Sequence, residues 1–167
     1  MTENVAQCRY LMSLVESVLA GLDDSHRALE PQPGVKTAGW LIGHMAVSGD
    51  YARRLCGRDP LCPPAWSEAF NPGTQPSHHD ADYPPMAELC AALHAVYDDL
   101  CEAAEQALPA ALDTPNPFLP AQAAFPTAGG FVGYLLTSHL AYHMGQLVAW
   151  RGAAGLGRLA RPEALAA

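Results

Sequence analysis

Charge is scarce in this 167-residue chain: 16% of the residues are Asp, Glu, Lys or Arg, while apolar residues make up 50%. Typical charged usage is about 25%, so a chain held disordered by charge and low hydrophobicity is excluded. Basic residues are the scarcer sign. Nine Lys and Arg against 17 Asp and Glu leave a net charge of −8; such a surface is repelled by phosphate backbones, which argues against nucleic-acid binding. Long hydrophobic runs are also missing. The best candidate, Phe131 to Trp150, is interrupted by His139, His143 and Gln146, so no membrane span is expected. The first residues, with Glu3 and no basic start leading into an apolar run, lack the pattern of a secretory signal. Five cysteines (Cys8, Cys56, Cys62, Cys90, Cys101) include no Cys-x-x-Cys pair, which fits reduced, mostly buried thiols in a cytoplasmic protein better than disulfides or a structural zinc framework. At this length a single domain over residues 1–167 with a real core is expected.

What is present is helical periodicity. Four long segments carry apolar residues at three- and four-residue steps, and none alternates like a half-buried strand, so the class is all-α. The first runs from about Thr2, a possible cap, to Leu22, with Val5, Cys8, Val15 and Val18 on one face. Pro31-Gln32-Pro33-Gly34 blocks continuation; Thr37 offers the cap of a second helix reaching to Cys56, ahead of Gly57. Trp40, His44, Val47, Tyr51 and Leu55 share its inner face. Arg58 to Pro85 is Pro-rich and too long for an ordinary connection, hence a crossover or a functional loop. A third helix follows Pro84-Pro85 with a stripe of Met86, Leu89, Leu93, Val96 or Tyr97, Leu100 and Leu108. After a second Pro-rich passage, Pro115 to Pro126, Thr127 caps a fourth helix from Ala128 to Arg151 with Gly152 at its end. Pro162 offers a start for a short terminal helix.

The chemistry concentrates in histidines. His139 and His143 lie four apart on a helix, about 6 Å from each other on one face, so both imidazoles can reach one metal ion. Val132 and Leu135 lead into His139 and turn the pair inward; Gln146 follows on the same face. His44, flanked by Trp40, Val47 and Tyr51, is the natural third ligand, since a lone His on that buried side would be costly. Three neutral imidazoles with an open position make a reactive metal site rather than a closed structural one. Protease motifs are excluded because Leu140 follows the first His and Tyr142 precedes the second. No Glu is followed three residues later by His, which excludes a carboxylate di-iron bundle. The metal stays open, since imidazole suits zinc, nickel, copper and iron; zinc is the default.

Other candidates are weaker. His94 and Asp98 form a possible i,i+4 pair, better read as a solvated boundary, with His94 the potential fourth ligand that would close the site. His78-His79-Asp80 is a surface loop or a lid over a pocket. His26 reads as surface. Tyr51 and Tyr142 are core packing by default; Tyr51, on the His44 face, is the better placed to hold substrate or donate a proton. Arg53, Arg54 and Arg151 are able to bind a substrate carboxylate, although their places near helix C-termini favour an interaction with the helix dipole.

The run Trp40-Leu41-Ile42-Gly43-His44-Met45-Ala46, the Pro-rich crossover and His139-x-x-x-His143-Met144-Gly145-Gln146-Leu147 resemble, in order, the DinB/YfiT-like superfamily of metal-dependent enzymes. The resemblance implies a four-helix bundle with up-down-down-up connectivity, often a homodimer, and a divalent metal, zinc or nickel first, on His44, His139 and His143. Relatives include thiol S-transferases that use a low-molecular-weight thiol, so the expected function is metal activation of a thiol or water toward a small electrophile. Tyr51 and Gln146 are the candidate catalytic residues, Gln146 by orienting a ligand. The alternatives are a non-catalytic metal-binding stress or sensor protein, and a metal-free helical interaction module with the histidines apart or paired with polar groups.

Overall fold

Two threonines begin the helical segments that carry or lead into the three histidines. Thr37 accepts from the Trp40 amide at 3.3 Å to start α2 (Ala38–Leu55), and Thr127 accepts from the Gly130 amide at 3.1 Å to start α6 (Ala128–Tyr134). The structure, a computed structural model, describes residues 1–157; the helix expected at Pro162 lies outside the described residues. In chain order the remaining helices are α1 (Thr2–Leu19), α3 (Pro64–Phe70), α4 (Met86–Gln106), the single turn α5 (Pro109–Leu112) and α7 (Leu140–Ala153). The described residues are all helical apart from loops, with no strand and one isolated bridge, Pro115 to Thr127. None of these helices is long and apolar enough to cross a membrane.

Several ends differ from the sequence reading. Thr2 lies inside α1 and does not cap it; Met1 holds the cap position without a side-chain bond. The helix stops at Leu19 rather than Leu22: Ala20 leaves the helical region with a ψ of 128°, and Gly21 follows with a φ of +76°. α4 ends at Gln106, so Leu108 falls outside the stripe and is 72% exposed. α2 ends as expected on Gly57, whose positive φ lets the Arg58 amide bond back to the Arg53 carbonyl at 3.1 Å. The fourth segment is not one regular helix. Between α6 and α7 the chain makes a π-helical turn, Leu135–His139, in which one extra residue enters the winding. α7 runs past Gly152, and its closing glycine is Gly155.

α2 is the central element, buried at every residue from Ala38 to Asp50 and packed against α3, α4, α6 and α7. Such enclosure requires small residues where neighbours come closest. A Cβ on Gly43 would lie 2.7 Å from three ring atoms of Phe70, so the α3 ring sits directly on the α2 backbone. α1 packs on α4 and α7, where Arg151 donates to the carbonyls of Val18 (3.1 Å) and Ala20 (2.5 Å). That arginine thus satisfies the open carbonyls at the end of α1 rather than a substrate.

Candidate metal centre

His139 closes the π turn and His143 lies one turn into α7 on the same side, and α2 brings His44 against them. One ring nitrogen from each lies within 4.8 Å of the other two, and all three residues are buried. The ring of His44 is held on one face and along its edge. Trp40 stacks on it at 4.6 Å with 8° between planes. Its Nδ1 donates to the Phe70 carbonyl oxygen at 2.7 Å, which fixes the tautomer and leaves Nε2 as a lone pair. His143 is fixed the same way, its Nδ1 donating to Gln146 Oε1 at 2.7 Å.

Burial pushes all three pKa values down: that of His44 below its usual range, His139 to about 3 with help from its two neighbours, and His143 to about 4 with help from His44. The rings are therefore neutral at physiological pH, the state a metal requires.

The donor set fits a cation. Two of the three rings have committed their N–H outward, so two Nε2 lone pairs face a space where His139 alone is able to supply a proton. His139 Nε2 is 3.2 Å from His44 Nε2, close to the edge of about 3.3 Å between nitrogens bound at 2.0–2.1 Å around a tetrahedral zinc. His139 Nδ1 is buried with no partner. A cluster of lone pairs short of hydrogen is the arrangement that an ion completes.

Above the triad opens a cavity of about 690 Å³. Tyr51, Ser48 and Val47 of α2 line one side, and Asn71 and Pro72, just after α3, line another. The rest comes from the second Pro-rich passage. Residues 115–127 form an Ω-like loop closed at its base, where the Asn116 amide bonds to the Pro126 carbonyl (2.9 Å) and the Ala128 amide to the Thr114 carbonyl (2.8 Å). Asn116 is fully buried: its Nδ2 donates to the Phe125 carbonyl and its Oδ1 accepts from the Phe118 amide, both at 3.0 Å. Those bonds hold Phe118 and Phe125 over the cavity.

Other sequence candidates land elsewhere. The His78-His79 loop does not cover the cavity. His78 is exposed, its Nδ1 3.7 Å from Glu30, and Asp80 ties the segment to Ala28 instead. His94 is no fourth ligand, because it faces Glu16 of α1 at 3.2 Å, and Asp98 is exposed beside it. Arg53 is turned into the protein between Asp50 and Asp99. His26, half-buried, receives the Asp23 amide and lies edge-on to Trp150. Tyr142 is not core; it is 62% exposed at the cavity mouth, edge-on to His143 at 5.0 Å.

Four contributors had no clear mark in the sequence. The Phe70 carbonyl carries no side-chain signature. Tyr134 reaches His139, ring to ring at 5.6 Å and 71°, because the π turn brings residues five apart to the same side. Phe118 and Phe125 carried one faint sign, aromatic residues in a long Pro-rich loop just before the His-bearing helix.

The fold and site define an all-helical protein with a buried three-histidine group beneath a cavity. The description of the DinB superfamily matches residues 9–147, and the chain belongs to that superfamily. No curated protein and no solved structure matches it.

Proposed function

We propose that the protein is a metal-dependent enzyme, in which His44, His139 and His143 hold one divalent ion and a low-molecular-weight thiol or water attacks a small electrophile. One observation carries this reading: three neutral, buried imidazoles converge at the floor of a cavity of about 690 Å³, with no fourth protein ligand among the described residues. Zinc and nickel are the first candidates among the metals that imidazole suits. When bound, the ion would lower the pKa of the thiol or water and so supply a nucleophile at neutral pH.

The chain's own residues do the positioning. The Phe70 carbonyl and Gln146 hold His44 and His143 each in one tautomer and orientation. Tyr51 reaches the same cavity with a phenol whose pKa burial pushes up, so it stays protonated and is able to donate to a substrate or leaving group. In thiol transfer the sulfur forms the new bond to the electrophilic carbon, the leaving group departs with its electron pair, and the thiol proton passes to solvent. The up-down-down-up four-helix connectivity, the homodimer and the cytoplasmic setting belong to the same reading. Family membership and the long connections from α2 to α4 and from α4 to α6 support the connectivity. The net charge of −8 supports a small-molecule substrate over nucleic acid.

The test follows 1-chloro-2,4-dinitrobenzene with a panel of small thiols and the as-purified chain. A saturable rate is expected, lost in His139→Ala. Gln146→Leu is expected to weaken metal binding about 10–100-fold and to recover its rate in excess metal. A rate indifferent to His139→Ala would sink the enzyme reading, and full metal loading without a rate across the panel would leave a metal-binding protein without catalysis.

A further inference from the structure

The cavity over the three histidines is walled by rings and contains no formal charge of its own. Phe118 of the Ω-like loop stacks on Phe131 of α6 with centroids 5.4 Å apart and 8° between planes. Phe125 of the same loop stacks on Tyr134 at 4.6 Å and 25°. Since Tyr134 in turn meets His139 edge-on at 5.6 Å, the aromatic wall runs unbroken from the loop to the histidine floor. Phe118, Phe125 and Tyr134 are only half-buried, so ring surface remains uncovered along the cavity.

Among the described residues no Lys, Arg, Asp or Glu lines this space. Arg53 is committed to Asp50 and Asp99, and Arg151 to the carbonyls ending α1; Arg54, exposed near the end of α2, lies close enough to Tyr51 to oppose the rise in its phenol pKa but does not line the cavity. The polar groups that do line it, such as Ser48, Asn71 and the Tyr51 hydroxyl, are neutral. A charged group wedged between the rings, away from the histidine floor and the ion proposed there, would lose its hydration with no counter-charge lining that part, whereas a flat ring gains stacking surface. A few neutral polar groups in an apolar, ring-lined cavity of this size suit a drug-sized ligand.

We infer that this cavity takes a small molecule whose body is aromatic and uncharged, with Phe118 and Phe125 as the residues that select it. The inference rests on reading the cavity as the substrate site of the proposed enzyme, and it specifies the substrate class.

Two fluorescent probes that share an anilinonaphthalene frame test it: the neutral N-phenyl-1-naphthylamine, and 1-anilinonaphthalene-8-sulfonate, which adds one negative charge. Each is titrated into the as-purified full chain, into Phe118→Ala and into Phe125→Ala, with metal content and helicity measured on the same samples. The neutral probe is expected to bind saturably at one site, about tenfold or more tighter than the sulfonate. Each loop variant is expected to weaken the neutral probe about tenfold while metal content and helicity stay at the wild-type level. Equal or tighter binding of the sulfonate overturns the inference. So does a neutral probe that fails to saturate, or that binds both loop variants as it binds the wild type. The wild-type comparison of the two probes stands even where a variant folds poorly. Wild-type protein that selects the neutral probe but holds no metal would sink the metalloenzyme reading and leave the cavity's selectivity in place.

Discussion

Replacing Arg53 with alanine is expected to lower the free energy of unfolding by about 3–5 kcal/mol, the usual loss when one partner of a buried ion pair is removed. Arg53 and Asp50 are 5% and 6% exposed, and the guanidinium donates to Asp50 and to Asp99 of α4 at 2.6 Å each. Asp50 also accepts from the amides of Leu61 (2.9 Å) and Cys62 (3.3 Å), which pins the chain just before α3. Without the arginine a buried carboxylate loses its counter-charge. The entry into α3 loosens with it, and α3 carries the carbonyl that orients His44. Guanidinium unfolding measures the loss, and adding Asp50→Asn to Arg53→Ala should recover part of it, because the uncompensated charge is then gone. A loss below about 1 kcal/mol, the value of an exposed pair, would contradict this account.

Gly43→Ala separates packing from propensity. In a helix interior, alanine is better than glycine by about 1 kcal/mol, so propensity alone predicts stabilisation. The contact predicts the opposite. The new Cβ would lie 2.7 Å from three atoms of the Phe70 ring, itself 1% exposed and unable to retreat cheaply. Overpacking of this kind costs about 1–3 kcal/mol, so a net loss of stability is expected. The displaced ring would move the carbonyl that His44 donates to, and metal affinity should fall in the same variant. An unchanged or higher melting temperature with unchanged affinity would show that Phe70 is not seated on α2 as described.

Much of this was legible in the sequence, for reasons that also mark where reading stops. The threonine caps at Thr37 and Thr127 and the stop at Gly57 follow from side-chain and glycine chemistry acting within a few residues, and they stand. The convergence of His44 with His139 and His143 was readable because an inward histidine beside Trp40 and Val47 needs a partner. Apolar residues beyond a helix end extend the pattern without the helix: Leu22 and Leu108 keep the periodicity after the backbone has already left the helix at Ala20 and at Ala107. The π turn at Leu135–His139 adds one residue without altering the side-chain pattern, so nothing in the sequence marks Tyr134 as a neighbour of His139. His78 and His79 suggest a lid by composition, whereas the cover over the cavity is built by Asn116, through side-chain bonds to the backbone of Phe118 and Phe125 that no local pattern announces.

The most direct test is elemental analysis of the wild-type chain, purified without an affinity metal or chelator, beside His44→Ala and His139→Ala. The account predicts about one divalent ion per chain, lost in both variants. Wild-type protein that contains no metal and takes none up on reconstitution would contradict it, and the three histidines would then be core residues of a helical protein.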